Sequence, residues 1–141
     1  MRFLLSLLFM AVISTWCSSA RADSSTLQSL SGEWHQISSN AGKCDDCRVT
    51  VEMNGQNFAV TANNGWSAIL QMKSFQGVTS VAGEGRWKSG AGGSYGGKAF
   101  FLNLGMVDDR LLMLMTVPGS NGKLRNIRAI FEKISASEGS I

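Results

Sequence analysis

The stretch that decides the fold is GEWHQI, residues 32–37. It is the first of a series of short segments separated by turn signals about every 8–12 residues, a spacing typical of all-β sandwiches and barrels. No segment shows a sustained helical period of about 3.6 residues. We therefore predict that residues 32–37 begin the first strand of a small, closed antiparallel barrel.

Eight strands are predicted between residues 32 and 134. Asn54-Gly55 predicts a type I′ hairpin in which both residues have positive φ, and the cluster at 118–122 predicts another turn. The glycine-rich stretch 88–97 predicts a mobile loop that buries little. The predicted strands span 32–38, 48–53, 57–62, 66–72, 78–87, 98–106, 111–117 and 124–134.

The short turns decide how these strands are arranged. Sequential strands joined by short turns form an up-and-down meander, and eight of them can close on themselves, which removes exposed edges. The predicted fold is therefore all-β, an eight-stranded antiparallel up-and-down β-barrel. A two-layer β-sandwich is the alternative, disfavoured because Greek-key crossovers need longer connections. Such a barrel is either filled by side chains or holds one small ligand.

The first 22 residues predict an exported protein. Arg2 precedes a nearly unbroken apolar run, 3–13, and Ala20-Arg21-Ala22 is a small-x-small cleavage site, so 1–22 is predicted to be a signal peptide. The run is too short to span a bilayer as a helix. The predicted location is periplasmic or secreted, with no stable membrane span.

Cleavage after Ala22 leaves 119 of the 141 residues, enough for one domain. We predict a lead-in at 23–31, a barrel domain at 32–134 and a polar tail at 135–141. Without Arg2 and Arg21, the 13 basic residues become 11 against 10 acidic ones, a formal net charge of about +1. Because there is no basic stripe, nucleic acid is a poor candidate partner.

The sequence Gly32-x-Trp34, together with an arginine on the last strand, resembles the calycins: lipocalins, fatty-acid-binding proteins, avidins and bacterial metalloprotease inhibitors. The resemblance implies that Trp34 packs across the closed end of the barrel and that the arginine lies over its ring. Arg128 is the better match for that arginine, and Arg125 is the alternative. The chain departs from the family in lacking the middle lipocalin motif, a helix after the barrel and the biotin-binding set of avidins.

Cys44-Asp45-Asp46-Cys47 is a C-x-x-C motif. A thioredoxin-like site places this motif at a helix N-terminus, whereas here it precedes a strand, and two intervening carboxylates raise a thiol pKa. We predict a structural disulfide between Cys44 and Cys47. A redox site and a metal site are the alternatives, but a closed zinc site usually needs four ligands, and His35 is the sole histidine.

Acid–base chemistry has few candidates in this chain. His35 alternates with Trp34 and is predicted to face outward, and no second histidine is present to build a catalytic triad. Asp108-Asp109 resembles a carboxylate pair, but it falls in a predicted turn, where Asp is favoured by local hydrogen bonding. We predict no enzyme, no catalytic residue, no metal and no cofactor.

The predicted function is binding of a small apolar ligand inside the barrel; the alternative is a protease- or lysozyme-inhibitor type of protein that binds a partner through its N-terminal segment or open-end loops. Trp66, Trp87 and Tyr95 are candidates for a rim at the open end, and Met113 or Met115 for an adaptable pocket. The predicted ligand lining is Phe58, Val60, Trp66, Leu70, Trp87, Phe100 and Leu102.

Overall fold

The computed structural model describes residues 27–75 and 78–135. Eight strands follow one another, with a short 3-10 helix, η1 (Gly93–Tyr95), between the fifth and the sixth. The predicted signal peptide and most of the polar tail lie outside the described residues. The strands are β1 (Gly32–Ser39), β2 (Arg48–Asn54), β3 (Asn57–Ala62), β4 (Trp66–Phe75), β5 (Val78–Trp87), β6 (Ala99–Val107), β7 (Arg110–Pro118) and β8 (Leu124–Lys133).

The strands form a closed barrel in sequence order. Each strand pairs antiparallel with the next, and β8 pairs with β1 through contacts such as Trp34↔Lys133. The predicted up-and-down barrel is confirmed, including the closure that the resemblance to calycins implied, and the alternative sandwich is wrong. Among the described residues, no helix is long and apolar enough to cross a membrane.

Strict alternation along the strands produces the core. On β7, for example, Leu111, Met113 and Met115 are buried while Leu112 is exposed. Every buried residue in the described part of the chain is apolar or a cysteine, and none is charged. Burial of apolar area, at about 25 cal/mol per Å², is therefore the main source of stability.

Two hairpins show how turn chemistry sets the register. Asp108 and Asp109 connect β6 to β7 with φ values of 48° and 63°, which confirms that this acidic pair belongs to a turn. At the β2–β3 connection only Gly55 has positive φ, 65°. The predicted type I′ turn at Asn54-Gly55 is wrong, because Asn54 still pairs with Asn57 as the last residue of β2. One positive φ at the first turn position is the pattern of a type II′ turn.

Two glycines on the inner face of β5 allow close packing. A Cβ on Gly83 would overlap the carbonyl oxygen of Ile69, and a Cβ on Gly85 would overlap the Phe100 ring. The Phe100 ring therefore occupies space that a side chain on β5 would otherwise need. This close approach explains how this part of the barrel is filled.

Trp34 closes one end of the barrel. It is 1% exposed, its Nε1 donates a hydrogen bond to the Leu30 carbonyl at 2.9 Å, and Leu30 lies in a helical turn at 27–30 that covers this end. Lys133 Nζ lies 5.2 Å from the Trp34 ring centroid and donates to the Ser29 carbonyl at 2.9 Å. Cation–π attraction and two hydrogen bonds thus hold the lead-in against the barrel.

The prediction that Arg128 lies over Trp34 is wrong, as is the alternative, Arg125. Inward positions on β8 are Ile127, Ala129 and Phe131, so Arg128 faces outward, and its backbone N–H donates to Asn40 Oδ1 at 2.8 Å. Arg125 alternates with the inward-facing residues of β8, but it pairs with Val117 at the end of β8 that is far from Trp34. Lys133 lies on the same side of β8 as the inward-facing residues, and it pairs directly with Trp34.

Candidate ligand-binding site

A cavity of about 290 Å³ opens at the end of the barrel opposite Trp34. Two connections surround it: the disulfide loop (residues 40–47) and the glycine-rich loop (residues 88–98). We call it the open-end cavity. Its wall is formed mainly by Gln36, Ser39, Cys44, Cys47, Trp66, Trp87, Tyr95, Met113, Met115, Ile127 and Phe131.

A β-bulge in β1 brings Ser39 to this cavity. Gln36 pairs with Phe131, but Ser38 pairs with Ile130, so Ile37 is an extra residue without a partner of its own on β8. The alternation restarts after the bulge, and Ser39 faces the interior three residues after Gln36. Bulges commonly re-aim side chains in this way. The cavity wall thereby receives two polar side chains from one strand.

The disulfide loop forms one side of the cavity. Cys44 and Cys47 are joined by a disulfide with a Cα–Cα distance of 5.5 Å, as predicted. His35 Nε2 lies 2.7 Å from the Asp45 carbonyl oxygen, and Asn63 Nδ2 donates to the Asp46 carbonyl at 2.6 Å. These contacts hold the loop from the outside of the barrel, so the loop is a rigid part of the wall.

The glycine-rich loop forms the opposite side. Tyr95 stacks on Trp87 with ring centroids 6.0 Å apart and planes at 27°. Gly92 lies so close that a Cβ there would overlap the six-membered ring of Trp87. Arg125 Nη1 donates to Tyr95 Oη at 2.9 Å, and Lys98 N donates to the Tyr95 carbonyl at 2.9 Å. The loop therefore covers Trp87, whereas the sequence predicted a loop that buries little.

Trp87 carries the polar group at the site that has no partner. Its side chain is 7% exposed, and its Nε1 is buried without a hydrogen-bond partner in the part of the chain that the structure describes. Trp66 and Phe100 pack against it edge to face, at 6.5 Å between centroids in both cases.

Charges are confined to the rim of the cavity. Lys43 Nζ lies 3.6 Å from Asp45, and Arg48 Nη1 lies 3.5 Å from Glu33, with all four side chains substantially exposed. Among the described residues that line the cavity, none is an aspartate or a glutamate. Exposed ion pairs of this kind contribute little energy, so the interior of the site is electrically neutral and mainly apolar.

Two of the seven predicted lining residues, Trp66 and Trp87, line the open-end cavity. The other five are buried in the packed core and do not contribute to it: Phe58, Val60, Leu70, Phe100 and Leu102. Alternation in the sequence identified inward positions correctly. It does not indicate which part of the barrel, along its axis, is packed with side chains and which part contains a cavity. The rim predicted from Trp66, Trp87 and Tyr95 and the pocket predicted from Met113 and Met115 are both parts of this one cavity.

The wall residues that sequence reasoning missed include Gln36, Ser39, Ile127 and Phe131. Ile127 and Phe131 alternate regularly on the last predicted strand, so the signal was present. Gln36 lies two residues after Trp34 on β1, so its side chain faces the same side of the strand, and it could also have been found. Ser39 could not, because its inward orientation depends on the bulge at Ile37.

His35 lies on the outer side of the disulfide loop and contacts a backbone carbonyl. Within residues 27–75 and 78–135, no group of three or more His, Cys, Asp and Glu side chains could hold a metal ion.

Some large apolar side chains remain on the outside. Phe101 is 44% exposed on β6, and Leu124 is 74% exposed at the start of β8, next to the open end. Isolated exposed apolar residues are normal on protein surfaces, but Leu124 lies at the end where the sequence predicted a partner-binding loop.

Comparison with known proteins adds little to this description. No protein-family model matches the chain, and no curated protein matches it. The crystal structure of zebrafish ileal bile acid-binding protein complexed with cholic acid aligns with 75% of this chain and 99% of its own, at 12% identity and a TM-score of 0.41. Similarity at this level carries no information about ligand or function.

Proposed function

We propose that this protein is a non-enzymatic, lipocalin-like binding protein that takes up a small, mainly apolar molecule in the open-end cavity. The observation that carries the proposal is that side chains pack the core of the barrel, whereas a cavity lined mainly by inward-facing residues lies at its open end. A chain that needed only stability would gain from packing this space too, because voids lose dispersion contacts.

The size of the cavity restricts the ligand. A volume of about 290 Å³ lies near the lower end of the range for small-molecule sites, roughly 300–1,000 Å³. It corresponds to the volume of roughly ten water molecules. We expect a compact ligand, held between Trp66, Trp87 and Phe131 and by the thioethers of Met113 and Met115, which adapt readily to different shapes.

Export is the second part of the proposal. The predicted signal peptide at 1–22 directs the chain out of the cytoplasm, and a Cys44–Cys47 disulfide is stable in an oxidising compartment. We therefore place the protein in the periplasm or outside the cell. Mass measurement of the protein recovered from each cell fraction tests this, and recovery of the uncleaved chain from the cytoplasm would contradict it.

A pair of neighbouring substitutions tests ligand binding. Ser39→Leu places a larger side chain in the cavity, whereas Ser38→Leu adds the same side chain to the outer face of the same strand. Native mass spectrometry of the mature protein, purified from its own compartment, should show a bound small molecule in the wild type and in Ser38→Leu but not in Ser39→Leu. Equal occupancy in all three proteins would show that the ligand lies elsewhere.

The second candidate function is a protein-binding inhibitor, favoured by the exposure of Leu124 beside the open end. Apolar side chains at the centre of an interface typically carry much of its binding energy. The mature protein should then inhibit a member of a panel of proteases and lysozymes, and Leu124→Ser should abolish inhibition while Ser39→Leu retains it. Absence of inhibition across the panel, with a ligand bound in the cavity, would favour the first function.

A further inference from the structure

Charged side chains are distributed unequally between the two ends of the barrel. Five of the eight acidic residues in the described part of the chain belong to the closed end: Glu33, Glu52, Asp108, Asp109 and Glu132. Five cations, by contrast, surround the glycine-rich loop and the neighbouring β7–β8 turn at the open end. We call this group the cationic face, and it consists of Arg86, Lys88, Lys98, Lys123 and Arg125.

The cationic face is one continuous group, although its members come from distant parts of the chain. Arg86 Nη1 donates to the Gly97 carbonyl at 2.8 Å, and Arg125 Nη1 donates to Tyr95 Oη at 2.9 Å. Both guanidinium groups therefore contact the glycine-rich loop, one from β5 and one from β8. Because the acceptors are neutral, these hydrogen bonds fix the position of the charges without cancelling them.

Neighbouring carboxylates do not neutralise this face. Within residues 27–75 and 78–135, none of its five members belongs to an ion pair. The sequence between Glu84 and Asp108 contains no acidic residue. The acidic residues of the open end, Asp45 and Asp46, lie across the mouth of the cavity in the disulfide loop, where Asp45 faces Lys43. The cationic face therefore creates a positive potential beside the mouth of the cavity.

Leu124 adds an apolar side chain to the same surface. It is 74% exposed, and it lies in the chain between Lys123 and Arg125, which are both exposed. Its backbone pairs with Pro118, where β7 ends and β8 begins, so Leu124 lies at the edge of the open end. An exposed leucine flanked by cations suits the interface of an anionic bilayer, because the apolar side chain enters the headgroup region while the cations meet the phosphates.

A protein partner fits this surface less well. A stable protein interface buries about 800 Å² on each side around an apolar centre, and lysine is depleted from such interfaces. Three of the five cations are lysines, and the two connections that carry them are rich in glycine and serine. Attraction between such side chains and a charged plane of lipid requires no close fit of shapes.

We propose that the open end is a docking surface for an anionic lipid bilayer, with the cationic face against the phosphates and Leu124 among the headgroups. Docking in this orientation places the mouth of the open-end cavity against the membrane. An apolar ligand is concentrated in lipid rather than in water, so the barrel exchanges it there without releasing it into solution. Docking does not require a loaded cavity, and it can therefore be tested separately from the proposed function.

Vesicle binding tests the proposal. The protein purified from its own compartment is mixed with sucrose-loaded vesicles of phosphatidylcholine, alone or with roughly one third phosphatidylglycerol, and the bound fraction is measured by sedimentation. We expect binding to the anionic vesicles only. Salt at about 1 M, where the Debye length is about 3 Å, should remove most of it. Equal binding to both kinds of vesicle would overturn the role of the cationic face.

Two double variants test the orientation. Lys88→Gln with Lys123→Gln removes two charges from the cationic face, and because each basic residue near an anionic surface contributes about fivefold, affinity should fall roughly 25-fold. Lys73→Gln with Arg110→Gln is the matched control, since it removes two exposed cations from the closed end. Affinity should then stay within about twofold. Equal losses would show that the protein binds through its net charge and not through its open end.

A second pair of variants tests the apolar contact. Leu124→Ser should weaken binding to the anionic vesicles about tenfold, because the leucine side chain leaves water on docking. Ile69→Ser is the control, since Ile69 is 57% exposed on β4, away from the cationic face, and it should leave binding unchanged. The same effect in both variants would overturn insertion through Leu124.

Failure of docking and failure of the proposed function give different results. If the wild type does not bind anionic vesicles but carries a small molecule in native mass spectrometry, lipid docking is overturned and the ligand-binding function remains. If vesicles are not bound and Leu124→Ser abolishes inhibition of a protease or lysozyme, this surface binds a protein and lipid docking is overturned. If the expected dependence on the cationic face is found but no ligand is bound, docking stands and the proposed function of the cavity fails.

Discussion

Trp34 and Trp87 mark the two ends of the barrel, and the ends are built differently. At the closed end, the indole N–H, the ring face and the lead-in are all engaged, by Leu30, Lys133 and Ser29. At the open end, the disulfide loop and a stacked tyrosine surround the open-end cavity, and the Trp87 N–H has no partner within the described residues. The same residue type is therefore hydrogen-bonded at one end of the barrel and has no hydrogen-bond partner within the described residues at the other.

The largest expected effect comes from removing the indole at each end. Trp34→Phe loses buried contacts and leaves the Leu30 carbonyl without its donor, so it should lower the free energy of unfolding by about 3 kcal/mol. Trp87→Phe removes an unsatisfied N–H along with part of a ring and should cost about 1 kcal/mol or less. Urea unfolding followed by circular dichroism measures both, and equal losses would contradict the proposed difference between the ends.

A smaller effect is expected from the glycine that allows the barrel to be filled. Gly85→Ala places a methyl group against the Phe100 ring and the Ser67 carbonyl oxygen, so overpacking should cost about 2 kcal/mol. Gly105→Ala is the matched control, since a Cβ there has no heavy atom within 4 Å, and it should change stability by about 0.5 kcal/mol or less. The same urea experiment compares them. Similar values for both variants would show that the region around Gly85 is loosely packed.

The disulfide is the main covalent difference between the two ends. Replacing both Cys44 and Cys47 by serine should destabilise the protein by about 1–2 kcal/mol, a modest value because the closed loop is short. Reductant should lower the unfolding temperature of the wild type and have no effect on the double variant. A wild type that is insensitive to reductant while its thiols become alkylated would show that the contacts of His35 and Asn63 hold the loop without the disulfide.

The smallest effect distinguishes Lys133 from the arginine that the family resemblance suggested. Lys133→Met removes a cation–π contact and a hydrogen bond to Ser29, and it should cost about 1 kcal/mol. Arg128→Met changes an outward-facing side chain and should cost about 0.5 kcal/mol or less. Thermal unfolding monitored by tryptophan fluorescence measures both. The reverse order would restore Arg128 as the residue that covers Trp34.

The fold was predictable because its signals are local. Turn residues and two-residue alternation placed all eight strands, with strand ends that differ from the structure by three residues or fewer. Closure followed from short connections between antiparallel neighbours. Trp34 was assigned to the closed end because Gly32-x-Trp34 on the first strand resembles the calycin pattern, and its 1% exposure agrees with that.

The site was harder to predict because it depends on where a residue lies along the barrel axis and not only on whether its side chain faces inward. Alternation identifies Phe58 and Trp66 equally as inward residues, yet Phe58 is packed in the core away from the cavity and Trp66 lines it. Arg128 failed for a related reason: a family pattern suggested the residue type, whereas parity on β8 selected Lys133. The position of a residue along the barrel axis depends on the register between strands, which a single sequence does not provide, whereas the outward side of Arg128 could be read from its alternation with Ile127.

The bulge at Ile37 has a consequence for changes in chain length. In a closed barrel, removing one residue from a strand normally reverses the orientation of every side chain that follows it. Ile37 is already supernumerary, since Phe131 and Ile130 pair with Gln36 and Ser38 on either side of it. Its deletion would give a regular strand in which Gln36 and Ser39 still face inward. The first strand therefore contains a position where a shorter version of this protein can keep the same cavity wall.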